Sequence, residues 1–163
     1  IAYLESVLSY AEKAVTVEEI EELRLELIEG GYLKRRKNNF KPSKSKPTPY
    51  QYTTSDGFRV LVGRNNKEND ILTFKTASGK DYWFHTKDIP GSHVILFTEG
   101  KGLTETAIFE AAGLAAYHSK GRESENVPVD YTQVRHVKKP NGAKPGMVIF
   151  VDNKTAYVNP KLL

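Results

Sequence analysis

Between Lys34 and Pro49 the chain carries seven cations, three prolines and no acid. Like charges repel and proline opposes compaction, so this stretch reads as an extended or flexible linker. It divides the 163 residues into an arm, 1–33, and a globule, 50–163. The arm holds eight acidic and two basic residues, the globule 12 acidic and 15 basic. Locally clustered positive charge selects a polyanion partner, nucleic acid first and a membrane surface second. A merely solubilising linker is the alternative.

The arm reads as two short helices. Leu4, Val7, Leu8, Ala11 and Val15 recur at helical spacing. Thr16-Val17-Glu18-Glu19 has the form of a capping box. Ile20, Leu23 and Leu27 then mark one face, widened by Leu25 and Ile28, until Gly30-Gly31 stops the helix. A helix over about 17–29 is roughly 20 Å long and too short to persist alone in water. Its apolar face needs a partner: another helix of a hairpin or coiled coil, or the chain's own globule.

The globule alternates strand and turn signals. Tyr50–Thr53, Phe58–Val62, Tyr82–His85, His93–Phe97, Val127–Val137, Met147–Val151 and Thr155–Val158 read as strands, with Asp152-Asn153 at a hairpin turn. Asn66 is expected to cap a helix with Ile71, Leu72, Phe74 and Ala77 inward. Thr104 caps the clearest helix, 105–118, whose small inner face suits close packing on a sheet. The fold class expected is α+β, a mainly antiparallel sheet packed with about two helices and preceded by a short helical arm.

Several functions are disfavoured. There is no cysteine, hence no disulfide scaffold, thiolate metal site or Cys nucleophile. The longest apolar runs are far too short to span a bilayer. Four histidines are present, none in a tight metal-binding pair, and Ser92 lacks a nucleophile-elbow context. No metal, cofactor or catalysis is expected. A chain that begins at Ile1 and has Met147 as its one methionine is expected to be part of a longer protein.

Three stretches carry binding chemistry. In Gly63–Asp70, Arg64, Asn65, Asn66 and Lys67 could hold a phosphate at a helix start, although glycine spacing excludes a Walker loop and a plain helix cap competes. In Asp81–Val94, Asp81, Trp83 and His85 share one strand face and Tyr82 and Phe84 the other. Trp83 is a base-stacking or a core residue. His85 and Lys87, then Ser92 and His93, meet RNA or buried partners. In Val127–Gly146, an extended strand would put Arg135 opposite His136. It runs into a loop with Lys138, Lys139 and Lys144, no acid, and glycines and prolines that expose amides. Such a loop suits a phosphate backbone, with a solvated loop as the alternative.

These three strings, in this order, resemble the signatures of the NFACT-R domain. That is the C-terminal RNA-binding domain of the RqcH/NEMF family, also known in bacteria as fibronectin-binding protein A. The resemblance covers 50–163 directly, and the arm resembles the returning helix of that family's middle coiled coil. It implies binding to obstructed large ribosomal subunits carrying peptidyl-tRNA. It also implies support of untemplated alanine tailing of the stalled chain, in the cytoplasm, through contacts to ribosomal RNA or tRNA. The tRNA-selecting residues of the family lie in a domain absent here, so no tailing is expected from this chain alone. By motif position the candidate RNA contacts are Arg64, Asn65, Asn66 and Lys67, then His85, Lys87, Ser92 and His93, then Arg135, His136, Lys138, Lys139 and Lys144. The rival class is an adhesin that binds fibronectin at the cell surface by charge or strand addition.

Overall fold

The computed structural model describes residues 1–34 and 48–163. The linker reading for 34–49 falls, apart from its ends, outside the described residues. The arm forms α1 (Ala2–Lys13) and α2 (Val17–Glu29). Thr16 Oγ1 accepts from the Glu19 amide at 3.1 Å, while the Glu19 carboxylate accepts from Val15 at 3.4 Å. The cap is therefore the expected one at its first bond and shifted by one residue at its second.

The buried face of α1 differs from the apolar stripe. Tyr3, Ser6, Val7, Ser9 and Tyr10 face inward, whereas Leu4, Leu8 and Val15 are exposed. The reason lies in what the globule offers. Its contact surface presents Asn66, Asn69 and Ser92, so hydroxyl-bearing side chains bond where leucines could not.

The globule contains β1 (Tyr50–Thr53), β2 (Arg59–Val62), α3 (Asn66–Ile71), β3 (Tyr82–Thr86), β4 (Val94–Phe97) and α4 (Glu105–Tyr117). It continues with β5 (Val127–Gln133), β6 (Val137–Lys138), β7 (Ile149–Phe150) and β8 (Lys154–Val158). Six strands form an antiparallel sheet in the order β1-β2-β4-β3-β5-β8. This is the α+β architecture expected.

Both sheet faces are covered. On one, Val60, Val62, Phe84, Val94, Leu96 and Val129 pack against Ala111, Ala112 and Ala115 of α4. Alanines let the helix lie close, and Thr104 caps it by accepting from the Ala107 amide at 3.0 Å. On the other, Leu61, Trp83, Ile95 and Phe97 are covered by Leu72, Val134, Val137 and Phe150. The alternation of Trp83 and Phe84 to opposite faces follows the strand period, and both side chains are core.

Four local expectations are corrected. The helix after Gly63 is capped by Asn65, not Asn66, and passes at Leu72 into a π-helical turn, Leu72–Thr76. Around it Leu72 is buried, whereas Ile71 and Phe74 are about half and two-fifths exposed and do not face the core as expected. The strand from Val127 ends at Gln133, where a 3₁₀ turn, Val134–His136, sends Val134 and Val137 into the core. Arg135 and His136 are thus not strand residues. Only Ile149 and Phe150 of the Met147–Val151 stretch are strand, and they pair with β6, whereas β8 pairs with β5. Asp152, at φ 54°, therefore turns the chain between two sheets and makes no hairpin.

Candidate nucleic-acid interface

The three motifs, far apart in sequence, meet at the seam between arm and globule. Gly63 must be glycine there, because a Cβ would stand 1.9 Å from Asn69 Oδ1. That oxygen accepts from the His93 amide at 3.1 Å, and Asn69 Nδ2 donates to the Tyr10 hydroxyl at 2.7 Å. Tyr10 also shares a hydrogen bond with Ser92 Oγ at 3.1 Å. Burial pushes the Tyr10 phenol up to about 12, so it stays a neutral donor and acceptor.

Asn65, Asn66, Arg64 and Lys67 face the same arm. Asn65 accepts from the Glu68 amide at 2.9 Å and donates to Glu22 at 2.8 Å. Asn66, buried, donates to Ser6 at 3.0 Å and to the buried Glu26 at 3.2 Å, and Tyr3 donates to the same carboxylate oxygen. Arg64 lies 3.1 Å from Glu68 and 3.7 Å from Glu22, and Lys67 pairs with Glu29. These side chains hold α1 and α2, and the acidity of the arm is what they answer.

The second and third motifs are locked by His93. Its Nε2 donates to the Gly146 carbonyl at 3.0 Å, so Nδ1 accepts from the Thr73 hydroxyl at 2.8 Å. Burial lowers its pKa to about 3 and keeps it neutral. Asp70 completes the clamp: it accepts from the Gly146 amide at 3.0 Å and from Lys139 at 2.6 Å. Gly146 has φ 78°, and a Cβ there would lie 2.5 Å from Asn66 Oδ1.

Trp83 is 1% exposed, which places it in the core. It stacks with the half-buried His85 at 5.8 Å between centroids. His85 Nδ1 donates to the Thr86 carbonyl at 2.7 Å, and burial lowers its pKa. Ser92 is buried as well.

The outward cations are a different set. Lys87 is half-exposed, 4.0 Å from Asp130. Lys138 and Lys144 are exposed, with the Lys144 ammonium 4.8 Å from the Tyr32 ring centre. Arg135, exposed, bonds Gln133 at 2.8 Å, and His136 lies 3.7 Å from Asp152. The sequence reading missed Lys75 and Lys80. Both are exposed, and Lys80 sits beside Arg135 because Val134 donates to Asp81 at 2.9 Å and Arg135 to Gly79 at 3.3 Å. Only the pairing of two irregular turns brings them together, and no local pattern encodes it. Among the described residues no cluster of acidic and histidine side chains is arranged for a metal, and no helix is long and apolar enough to cross a membrane.

The chain is 48% identical over 144 residues to the Rqc2 homolog RqcH of Bacillus subtilis, covering 87% of this chain and 25% of that one. It is 46% identical over 161 residues to the Rqc2 homolog RqcH of Streptococcus suis, covering 98% of this chain and 28% of that one. It thus spans about a quarter of the length of these relatives. A solved structure, the C-terminal part of the fibronectin/fibrinogen-binding protein from Streptococcus suis, superposes with a TM-score of 0.88. The two share 45% identity over 99% of this chain and 64% of that one. Residues 48–152 match the family described as the NFACT protein RNA binding domain, and the chain belongs to that family.

Proposed function

We propose that this chain is the RNA-contacting module of a ribosome-associated quality-control factor. In this reading the factor works in the cytoplasm on obstructed large subunits carrying peptidyl-tRNA and supports alanine tailing of the stalled chain. This module catalyses nothing itself. The observation that carries the reading is the separation of charge. The seam pairs its cations with arm acids, while Lys75, Lys80, Arg135, Lys138 and Lys144 are exposed and make no ion pair among the described residues. Exposed, unpaired cations are what contact with a phosphate backbone draws on. Titration of labelled tRNA and of a ribosomal RNA fragment tests it, with affinity falling as salt rises.

Fibronectin binding is the second reading, supported by the name of the Streptococcus suis structure and by one edge of the sheet. There β8 pairs on one side only, with β5, and Tyr157 is 62% exposed, a geometry open to strand addition. Competition between fibronectin and RNA for the chain separates the two. Binding to fibronectin that persists when the outward cations are neutralised, with RNA binding absent, favours the second.

A further inference from the structure

A cavity of about 390 Å³ opens where α1, the end of β3 and the 146–150 segment meet. Its walls include Trp83, His85 and Phe150, together with the acidic residues Glu5, Asp88 and Asp130; one oxygen of Asp130, Oδ1, already accepts from Asn153 at 3.1 Å and Thr155 at 2.8 Å. No Lys or Arg lines it, and burial disfavours the charged forms of His85 and His93. It therefore repels phosphate and accepts hydrogen bonds. The indole N–H of Trp83 is buried and has no partner among the described residues. Lys87, between the lining residues Thr86 and Asp88, stands at the rim as the nearest cation in sequence.

Resting on the RNA-binding reading, we propose that this cavity takes one unpaired RNA base bearing an exocyclic amino group and rejects uracil. The volume falls within the range of small-ligand pockets. Unpaired bases are read by extrusion into such pockets along their hydrogen-bonding edges. Cytosine offers an amino donor where uracil offers a carbonyl oxygen. Among these acidic lining residues the amino group finds a charge-assisted bond, whereas the carbonyl is repelled. The phosphate of the bound nucleotide stays outside, near Lys87.

The chain has one tryptophan, so its emission reports this cavity. Short oligocytidylate and oligouridylate, end-labelled, are titrated into the chain while label anisotropy and Trp83 emission are recorded together. Both oligomers are expected to bind, oligocytidylate about fivefold or more tighter, and only oligocytidylate to change the emission. Asp88→Asn is expected to reduce that preference. Asp88 is exposed at φ 54°, which asparagine tolerates, so the variant folds. Asp130→Asn, checked for folding by circular dichroism, should reduce it further. Equal affinities, or binding of both without an emission change, overturns the cavity proposal and leaves the RNA reading standing. No binding of either oligomer overturns both.

Discussion

His93 Nε2 donates to the Gly146 carbonyl at 3.0 Å, 53 residues away, and this bond fastens the basic loop to the sheet. A neutral, single-tautomer imidazole is required, because Nδ1 must accept from Thr73. His118, whose Nε2 lies 2.8 Å from the Tyr52 hydroxyl, is held neutral in the same way: burial and then the charges of Lys13 and Arg122 lower it to about 3. Both histidines titrate near 6.5 when unfolded. Between about pH 3 and 6.5 the unfolded chain therefore binds more protons, so stability rises with pH across that window. It is complete above 6.5 and lost as pH falls toward 3. Urea unfolding at several pH values measures it. His93→Gln should remove up to about 1.4 kcal/mol per pH unit from the slope, and an unchanged slope would mean that His93 is protonated in the fold.

The arm depends on one buried acid. Glu26 is 2% exposed and one of its oxygens has no partner among the described residues. Asn66→Ala removes one of its two donors and should cost about 1–3 kcal/mol. The loss falls on the contact between arm and globule. Far-UV circular dichroism should therefore report helix loss at lower denaturant than Trp83 emission reports sheet unfolding. Coincident, unshifted transitions would contradict this.

Trp83 lies against Phe150, with ring centres 4.8 Å apart, and against His93. Trp83→Ala should cost about 3–5 kcal/mol, a large part of the stability of a domain this size. Denaturant unfolding followed by circular dichroism measures it. A variant of undiminished stability that loses RNA would instead make the indole a stacking surface.

Lys138 is exposed, and Lys139 is tied to Asp70 and to the Lys144 carbonyl at 3.2 Å. The two lysines should then behave differently. Lys138→Ala should lower the slope of log affinity against log salt by about 0.7–0.9, one phosphate contact. Lys139→Ala should loosen the loop and lower the melting temperature as well. Identical effects of the two on melting would contradict the tether.

Strand alternation, the Thr104 cap and the alanine face of α4 were legible because each depends on neighbours in sequence. They sufficed for the α+β class and for the placement of Trp83 and Phe84 on opposite faces. The inner face of α1 was not legible. Hydrophobicity ranks Leu4 and Leu8 above Ser6 and Ser9, but the partner surface is polar, and that surface is built by residues some 60 to 80 positions on. The motifs were visible as strings, and their convergence was not. Gly63 and Gly146 show why: each is set by a side chain of α3 that packs where a Cβ would stand. The break at Val134 left a local sign: Val134 and Val137 both enter the core but stand three residues apart, a spacing that fits a 3₁₀ turn and not a two-residue period.

The central claim is that RNA is held by the outward cations of the globule, not by the charge of the 34–49 stretch. The decisive measurement is titration of labelled tRNA at two salt concentrations with three proteins: the wild type, Lys138→Ala combined with Lys144→Ala, and Lys41, Lys44 and Lys46 each changed to Gln. The account predicts that the loop variant loses affinity and about two contacts of salt slope, while the variant of the 34–49 stretch stays close to wild type. Binding lost only when the 34–49 stretch is neutralised, with the loop variant unchanged, would contradict it.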